Sequence, residues 1–267
     1  MKLAVIGSPI SHSYSPKIHK SFGESLGIEV EYEAIEVNRE SCEKSILRLL
    51  NEGYAGLNVT LPLKDLAYLS STIRKSNSEA TKTANTLWKK NEKIVCDSTD
   101  GPGLVADLKK KGITTNGLNI TIVGAGGSAR AIVPSLLNEN PKNLCVVNRT
   151  IENIDSLRRD LNLKEQDISG YDLDHVPDEV PDIIINCSSA GLKGDEVILP
   201  EGLFDKAEIC YDLSYSLEET PFNLLAKQHR VQKVYDGKGM LINQAALSFK
   251  IWTGKTPEIP EEQEIFT

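Results

Sequence analysis

A glycine turn in the middle of the chain constrains the fold more than any other feature. Gly124-Ala125-Gly126-Gly127-Ser128-Ala129-Arg130 follows the apolar run Ile120-Thr121-Ile122-Val123. It opens a segment whose apolar residues, Ala129, Ile132, Val133, Leu136 and Leu137, recur at helical spacing. Leu144-Cys145-Val146-Val147 then reads as the next buried parallel strand. Strand, glycine turn, helix and strand in this order form a dinucleotide-binding unit of Rossmann type. Gly124 permits the tight bend, Gly126 lets the backbone approach a pyrophosphate, and Ala129 allows the helix to pack closely on the strand. Bare amides at the start of the helix face the phosphates. About a hundred residues precede this unit, so they build something else, and the substrate half of an enzyme is the expectation.

The choice of dinucleotide is written at the end of the second strand. A carboxylate there would hold a ribose 2′-hydroxyl, but the chain has Asn148-Arg149-Thr150. A planar guanidinium suits a 2′-phosphate, and Thr150 adds a hydroxyl. The alternative is a solvated arginine in a turn.

With 267 residues and 40% hydrophobic content the chain can bury one large or two modest cores. A net charge of -8 argues against nucleic acid as a partner. Five cysteines, at 42, 96, 145, 187 and 210, show no metal-ligand spacing and suggest reduced thiols of a cytoplasmic protein. His19, His175 and His229 likewise lack metal spacing, which disfavours a zinc alcohol dehydrogenase. No apolar run approaches membrane-spanning length, and the opening Met1 to Gly7 is too short for a signal peptide.

The front of the chain alternates in period. A buried strand at Leu3–Ile6 precedes a helix for which Ser15 serves as N-cap and Pro16 as first-turn residue, with Ile18, Phe22 and Leu26 facing the core. Gly27 ends it, and Ile28, Val30, Tyr32 and Ala34 alternate with glutamates as a half-buried strand. A helix over 41–50 and a strand over 55–60 complete a βαβαβ order, so the front half is itself α/β. A helix over 100–111 crosses into the nucleotide half, whose strands continue at 183–185, 209–211 and 231–235. A last helix over 240–252 shows Leu241, Ala245, Phe249 and Trp252 on one face.

Polar clusters punctuate the front half: Ser11-His12-Ser13-Tyr14-Ser15-Pro16, then Asn58-Val59-Thr60-Leu61-Pro62-Leu63-Lys64, Asn85-Thr86, and Cys96-Asp97-Ser98-Thr99-Asp100-Gly101. Each alone is commonly a turn. Several at successive strand ends indicate a ligand site, because ligands bind at the carboxyl ends of strands in open α/β sheets.

These clusters, the glycine turn, Asn148-Arg149-Thr150, Asn186-Cys187-Ser188-Ser189-Ala190-Gly191 and Met240 to Ala246 together resemble the shikimate dehydrogenase (shikimate/quinate dehydrogenase) family, in family order and over nearly the whole chain. The resemblance implies a two-domain α/β fold with an active site in the interdomain cleft. Residues 1–100 and 237–267 would form the substrate domain, and residues 101–236 a Rossmann-type NADP-binding domain. It implies reversible NADPH-dependent reduction of 3-dehydroshikimate to shikimate, in chorismate and aromatic amino acid biosynthesis, by a monomer or homodimer. Lys64 and Asp100 would be the catalytic pair, and Ser13, Ser15, Asn58, Thr60, Asn85, Tyr215 and Gln244 would hold the substrate. NADP would be held by Gly124, Ala125, Gly126, Gly127, Ser128, Ala129, Asn148, Arg149, Thr150, Ser188, Gly237 and Met240. Independently, hydride reduction of a ketone leaves an alkoxide, so a proton donor must stand beside that oxygen, and a lysine ammonium fits.

The chain departs from the family pattern in places. Cys96 and Ser98 replace the usual glycine and asparagine before Thr99-Asp100, and Asn153 stands where a second basic residue is common. Tyr215-Ser216-Leu217 lacks the family's proline. His12 as general acid is the rival to Lys64, with a structural hydrogen-bonding role for His12 preferred. A quinate or quinate/shikimate dehydrogenase using NAD(P) is the alternative within the fold, and a non-catalytic nucleotide-sensing regulator the alternative outside enzymes.

Overall fold

The computed structural model describes residues 1–175, 177, 179–188, 197–205 and 207–267. Its elements run, in order, β1 (Lys2–Gly7), α1 (Ser15–Leu26), β2 (Glu31–Glu36), α2 (Cys42–Asn51), β3 (Gly56–Val59), α3 (Lys64–Leu69), β4 (Ile73–Arg74), α4 (Ser76–Thr81), β5 (Thr86–Lys90), β6 (Lys93–Asp97) and α5 (Asp100–Lys110). There follow β7 (Asn119–Val123), α6 (Gly127–Asn138), β8 (Asn143–Val147), α7 (Ile151–Leu161), β9 (Ser169–Tyr171), β10 (Ile183–Asn186), β11 (Ile209–Asp212), α8 (Pro221–Gln228) and β12 (Lys233–Tyr235). The chain ends with α9 (Lys238–Thr253) and α10 (Glu262–Ile265). It divides into two compact units, Met1–Asp107 with Met240–Thr267, and Leu108–Gly239.

The first unit carries a mixed sheet in the order β2-β1-β3-β5-β6-β4. β1 pairs in parallel with both β2 and β3, whereas β5 is antiparallel to β3 and to β6. Since the chain goes from β1 first to one side and then to the other, the carboxyl ends of β1 and β3 flank a topological switch point, where loops diverge and leave a crevice. Strand alternation sends Ala4, Ile6, Leu57 and Val59 into a core completed by α2 and α3. Leu3 lies on the opposite face, packed with Ile18 and Phe22 of α1 and Ile242, Ala245 and Phe249 of α9. The apolar stripe of the final helix is thus what returns it to the front of the chain.

The second unit is an all-parallel sheet in the order β12-β11-β10-β7-β8-β9. Numbered from its first strand this is the 3-2-1-4-5-6 order of a doubly wound dinucleotide-binding fold, with its switch point between β7 and β10. Near-continuous burial of Ile120, Ile122, Val146, Val147 and Ile183 to Ile185 is what a sheet covered on both faces requires.

Two local expectations are corrected. Ser15 is the first residue of α1 rather than its cap: Tyr14 holds the N-cap position without a side-chain bond, and the Ser13 hydroxyl accepts from the Ser15 amide at 3.3 Å. The second strand begins at Glu31, three residues later than its pattern suggested, and Ala34 is exposed because β2 is an edge strand whose two faces are only half covered. His12 is exposed rather than buried, and no hydrogen bond joins it to another described residue.

Candidate active site

In the first unit the switch-point loops deliver one polar cluster. The chain leaving β3 turns through Thr60 to Leu63, closed by the Leu63 amide on the Thr60 carbonyl at 3.0 Å, and places Lys64 at the start of α3. The Ala84 amide bonds the Lys64 carbonyl at 2.9 Å, so the segment bearing Lys64 is fastened to the one bearing Asn85. Lys64 Nζ donates to Asp100 Oδ2 at 2.7 Å. Side-chain exposures of 20% and 8% distinguish this pair from a surface ion pair.

Asn85 organises the surroundings. Its Nδ2 shares two N–H groups among Asp100 Oδ1 (3.1 Å), Gln244 Oε1 (2.9 Å) and Thr99 Oγ1 (2.8 Å), and its Oδ1 accepts from the Thr99 amide and Thr86 Oγ1 (2.8 and 2.9 Å). The amide is therefore committed on both sides to holding Asp100 and Gln244. Gln244 spends one N–H on the Leu241 carbonyl at 2.9 Å and has no acceptor for the other among the described residues. It comes this close because α5 carries Gly103, where a Cβ would lie 2.7 Å from the Gln244 backbone nitrogen. Asn58 Nδ2 donates to the Asn85 carbonyl (3.0 Å) and to Ser248 Oγ (3.1 Å), and its Oδ1 accepts from the Tyr32 phenol (2.8 Å). Ser13 and Thr60 are half-buried and Ser15 is buried. The unit therefore gathers hydroxyls, amides, one ammonium and one carboxylate around the ends of β1 and β3. Ser98, where the family pattern has an asparagine, is buried with its hydroxyl unpartnered among the described residues.

The second unit meets the needs of a dinucleotide. Gly124, at φ +99°, sits where a Cβ would come within 3.0 Å of the Ser188 backbone nitrogen, so only glycine lets the β7 and β10 turns approach. Gly126 and Gly127 face open space, leaving the start of α6 accessible to phosphate oxygens. Ala129 is fully buried against the sheet. Asn148 Oδ1 accepts from the Ala125 amide (3.2 Å) and its Nδ2 donates to the Thr150 carbonyl (2.8 Å), which locks the glycine turn to the end of β8. Arg149 and Thr150 are exposed beyond it, and Ser128 is half-buried. These residues fit a pyrophosphate on the helix start and an anionic ribose substituent on Arg149.

Ser188 bonds Asn186 Oδ1 through both its amide (3.0 Å) and hydroxyl (2.7 Å), and Asn186 Nδ2 donates to the buried Asp212 (2.9 Å). Burial raises the Asp212 pKa, with hydrogen bonds from Thr220, Ser214 and Asn186 opposing it. Asp212 escaped the sequence reading, although a carboxylate ending an apolar strand was its signal. Gly237 belongs to the second unit, its amide bonding the Ser214 carbonyl at 2.9 Å, and Tyr215 lies in the same unit, half-buried. Met240 falls in the first unit. Ser189, Ala190 and Gly191 of the quoted motif lie outside the described residues. Also missed as parts of the site were Tyr32, Ser248 and His19, all tied to the first unit's cluster by contacts remote in sequence.

Comparison with known proteins agrees with this geometry. Residues 5–87 match the shikimate dehydrogenase substrate binding domain, residues 107–206 the shikimate / quinate 5-dehydrogenase family, and residues 237–261 the shikimate 5′-dehydrogenase C-terminal domain. A shikimate dehydrogenase (NADP(+)) of Marinobacter nauticus is 38% identical over 96% of this chain and 94% of its own. Its counterpart in Alkalilimnicola ehrlichii is 37% identical over 96% and 95%. The shikimate 5-dehydrogenase of Thermus thermophilus, solved in complex with NADP(H) and shikimate, superposes with a TM-score of 0.86 at 29% identity, covering 100% of this chain and 97% of that one. Matches on both units, at these identities and over this much of each chain, place the protein in the shikimate dehydrogenase family.

Proposed function

We propose that the chain catalyses the reversible NADPH-dependent reduction of 3-dehydroshikimate to shikimate. The observation that carries this reading is the sheltered Lys64–Asp100 pair among the hydroxyls and amides at the ends of β1 and β3. When bound, NADPH supplies the hydride. Lys64 supplies the proton: one N–H of its ammonium is held by Asp100, and the other two remain to meet an oxygen that is becoming an alkoxide. In the oxidation direction the same nitrogen takes the proton back. Asp100, itself held by Asn85, orients Lys64 and accepts a substrate hydroxyl.

The remaining assignments follow the family's pattern on this chain. Ser13 and Ser15 offer hydroxyl donors to the substrate carboxylate, and Asn58, Thr60, Asn85, Gln244 and Tyr215 serve the ring hydroxyls. Gly124 to Ala129 and Ser188 cradle the pyrophosphate and its ribose, with Asn148, Arg149 and Thr150 at the adenosine end. Gly237 and Met240 serve the nicotinamide. Residues 1–107 with 240–267 are thereby the substrate-binding part and residues 108–239 the cofactor-binding part. Five free thiols, four of them buried, and no helix among the described residues long and apolar enough to cross a membrane suit a cytoplasmic enzyme.

Steady-state assays with shikimate and quinate, each with NADP+ and NAD+, test the reading. The largest kcat/KM is expected for shikimate with NADP+. A larger value for quinate with NAD+ would assign the chain to the quinate branch, and absence of turnover with every pair would leave it a nucleotide-binding regulator.

A further inference from the structure

Tyr32 is used by none of the chemistry above, yet it stands at the root of the substrate cluster. It projects from β2 at the level of Leu3 on β1, while Asn58 lies level with Val5, so both side chains share the sheet face covered by α1 and α9. The phenol lies 2.8 Å from Asn58 Oδ1. Its direction is forced: the Asn85 carbonyl, 3.0 Å from the other side of the Asn58 amide, can only accept, so Nδ2 faces it and Oδ1 faces Tyr32. The phenol must therefore donate. Burial pushes the Tyr32 pKa well above its usual value, with the neighbouring Ser15 side chain pulling the other way, so the donor proton is retained.

The ring that carries this proton is itself fixed. His19 of α1 is fully buried and stacks on Tyr32 at 4.4 Å and 13°. Phe22, Phe249 and Trp252 enclose its other sides at 5.5 to 5.8 Å between ring centroids. Neither imidazole nitrogen has a hydrogen-bond partner among the described residues, so the histidine serves here as a flat wedge rather than as a polar link.

We propose that Tyr32 is a positioning residue for substrate recognition: its phenol, held by the His19 stack, fixes the Asn58 amide so that the second lone pair of Oδ1 accepts a hydroxyl of the bound ring. This rests on the functional reading above. Without the phenol the Asn58 oxygen loses the donor that aims it, and the amide is held only from its Nδ2 side, by the Asn85 carbonyl and Ser248.

Tyr32→Phe keeps the aromatic face on His19 and removes only the donor. The loss of one positioned hydrogen bond corresponds to an increase of about three- to tenfold in the KM for shikimate. The KM for NADP+ and kcat should stay close to wild type, while the free energy of unfolding falls by about 1–3 kcal/mol for the buried acceptor left without its donor. An unchanged KM for shikimate would overturn the inference. So would a joint change in the KM for NADP+ and in kcat alongside the KM for shikimate, which would mark Tyr32 as general packing. Wild-type protein run beside the variant separates the two ideas, because failure of the wild type to oxidise shikimate refutes the functional reading instead.

Discussion

The buried imidazole of His19 makes stability sensitive to acid. Burial pushes its imidazole pKa from 6.5 down to about 3, with only the nearby Asn58 amide opposing. The unfolded chain therefore binds this proton first as pH falls. Stability is intact above about pH 6.5 and is lost progressively toward pH 3. Linkage gives a loss of about 2 kcal/mol between about pH 7.5 and about pH 5, and about 5 kcal/mol over the whole window. Of the rings around His19, Phe22, Phe249 and Trp252 do not titrate, and Tyr32 titrates far above the window. The perturbation is His19→Phe, which keeps a flat ring against Tyr32 and removes the titrating group. Both tryptophans, Trp88 and Trp252, lie in the first unit, so urea unfolding followed by their fluorescence reports on the unit that contains His19. Wild type should lose about 2 kcal/mol more than the variant between the two pH values. Identical losses in both proteins would refute the argument.

Other perturbations test the nucleotide unit. Gly124→Ala forces a Cβ to 3.0 Å from the Ser188 backbone nitrogen at a φ of +99°, so both stability and NADPH affinity should fall, the former by about 1–3 kcal/mol in thermal or urea unfolding. Wild-type stability would show that the turn accommodates a side chain. Arg149→Ala should weaken NADPH by about 1.5–3 kcal/mol in calorimetric titration while leaving NADH unchanged, since Arg149 is the exposed cation beyond β8 and Asn153 adds none. Equal losses for the two cofactors would place Arg149 elsewhere than on the 2′-phosphate.

What the sequence made legible, and what it hid, follows from the range of the interactions. β7, α6 and β8 were readable because a glycine turn between buried parallel strands is a local pattern. The doubly wound arrangement was expected only as a Rossmann-type unit, through that pattern and the family resemblance, and the short edge strand β9 was not expected at all. The β5–β6 hairpin was missed: its strands carry Lys89, Lys90 and Lys93, and its turn, Asn91-Glu92, takes left-handed backbone at both residues. The sequence shows its two ends only as separate polar clusters of a ligand site, Asn85-Thr86 and Cys96 to Gly101. Antiparallel register sets Thr86 opposite Asp97 and so brings Asn85 to Thr99 and Asp100. Gln244 joins them from 159 residues away, a contact that no periodicity announces. Ser15 was misread as a cap because Ser13, two residues earlier, offers the same hydroxyl to the same helix start. His19 did leave a trace, sitting between Ile18 and Phe22 on an apolar helical face, but its burial as an unpaired neutral ring depends on α9.

The proposed reaction requires Lys64 as the group that moves the proton. Lys64→Ala, assayed for shikimate oxidation and separately for NADPH binding by fluorescence titration, addresses this directly. Removal of a general acid–base group should lower kcat by about 10²–10⁴-fold. Because Lys64 lies in the first unit and the glycine turn in the second, NADPH affinity should hold within about twofold. A variant that turns over shikimate at close to the wild-type rate would contradict the account.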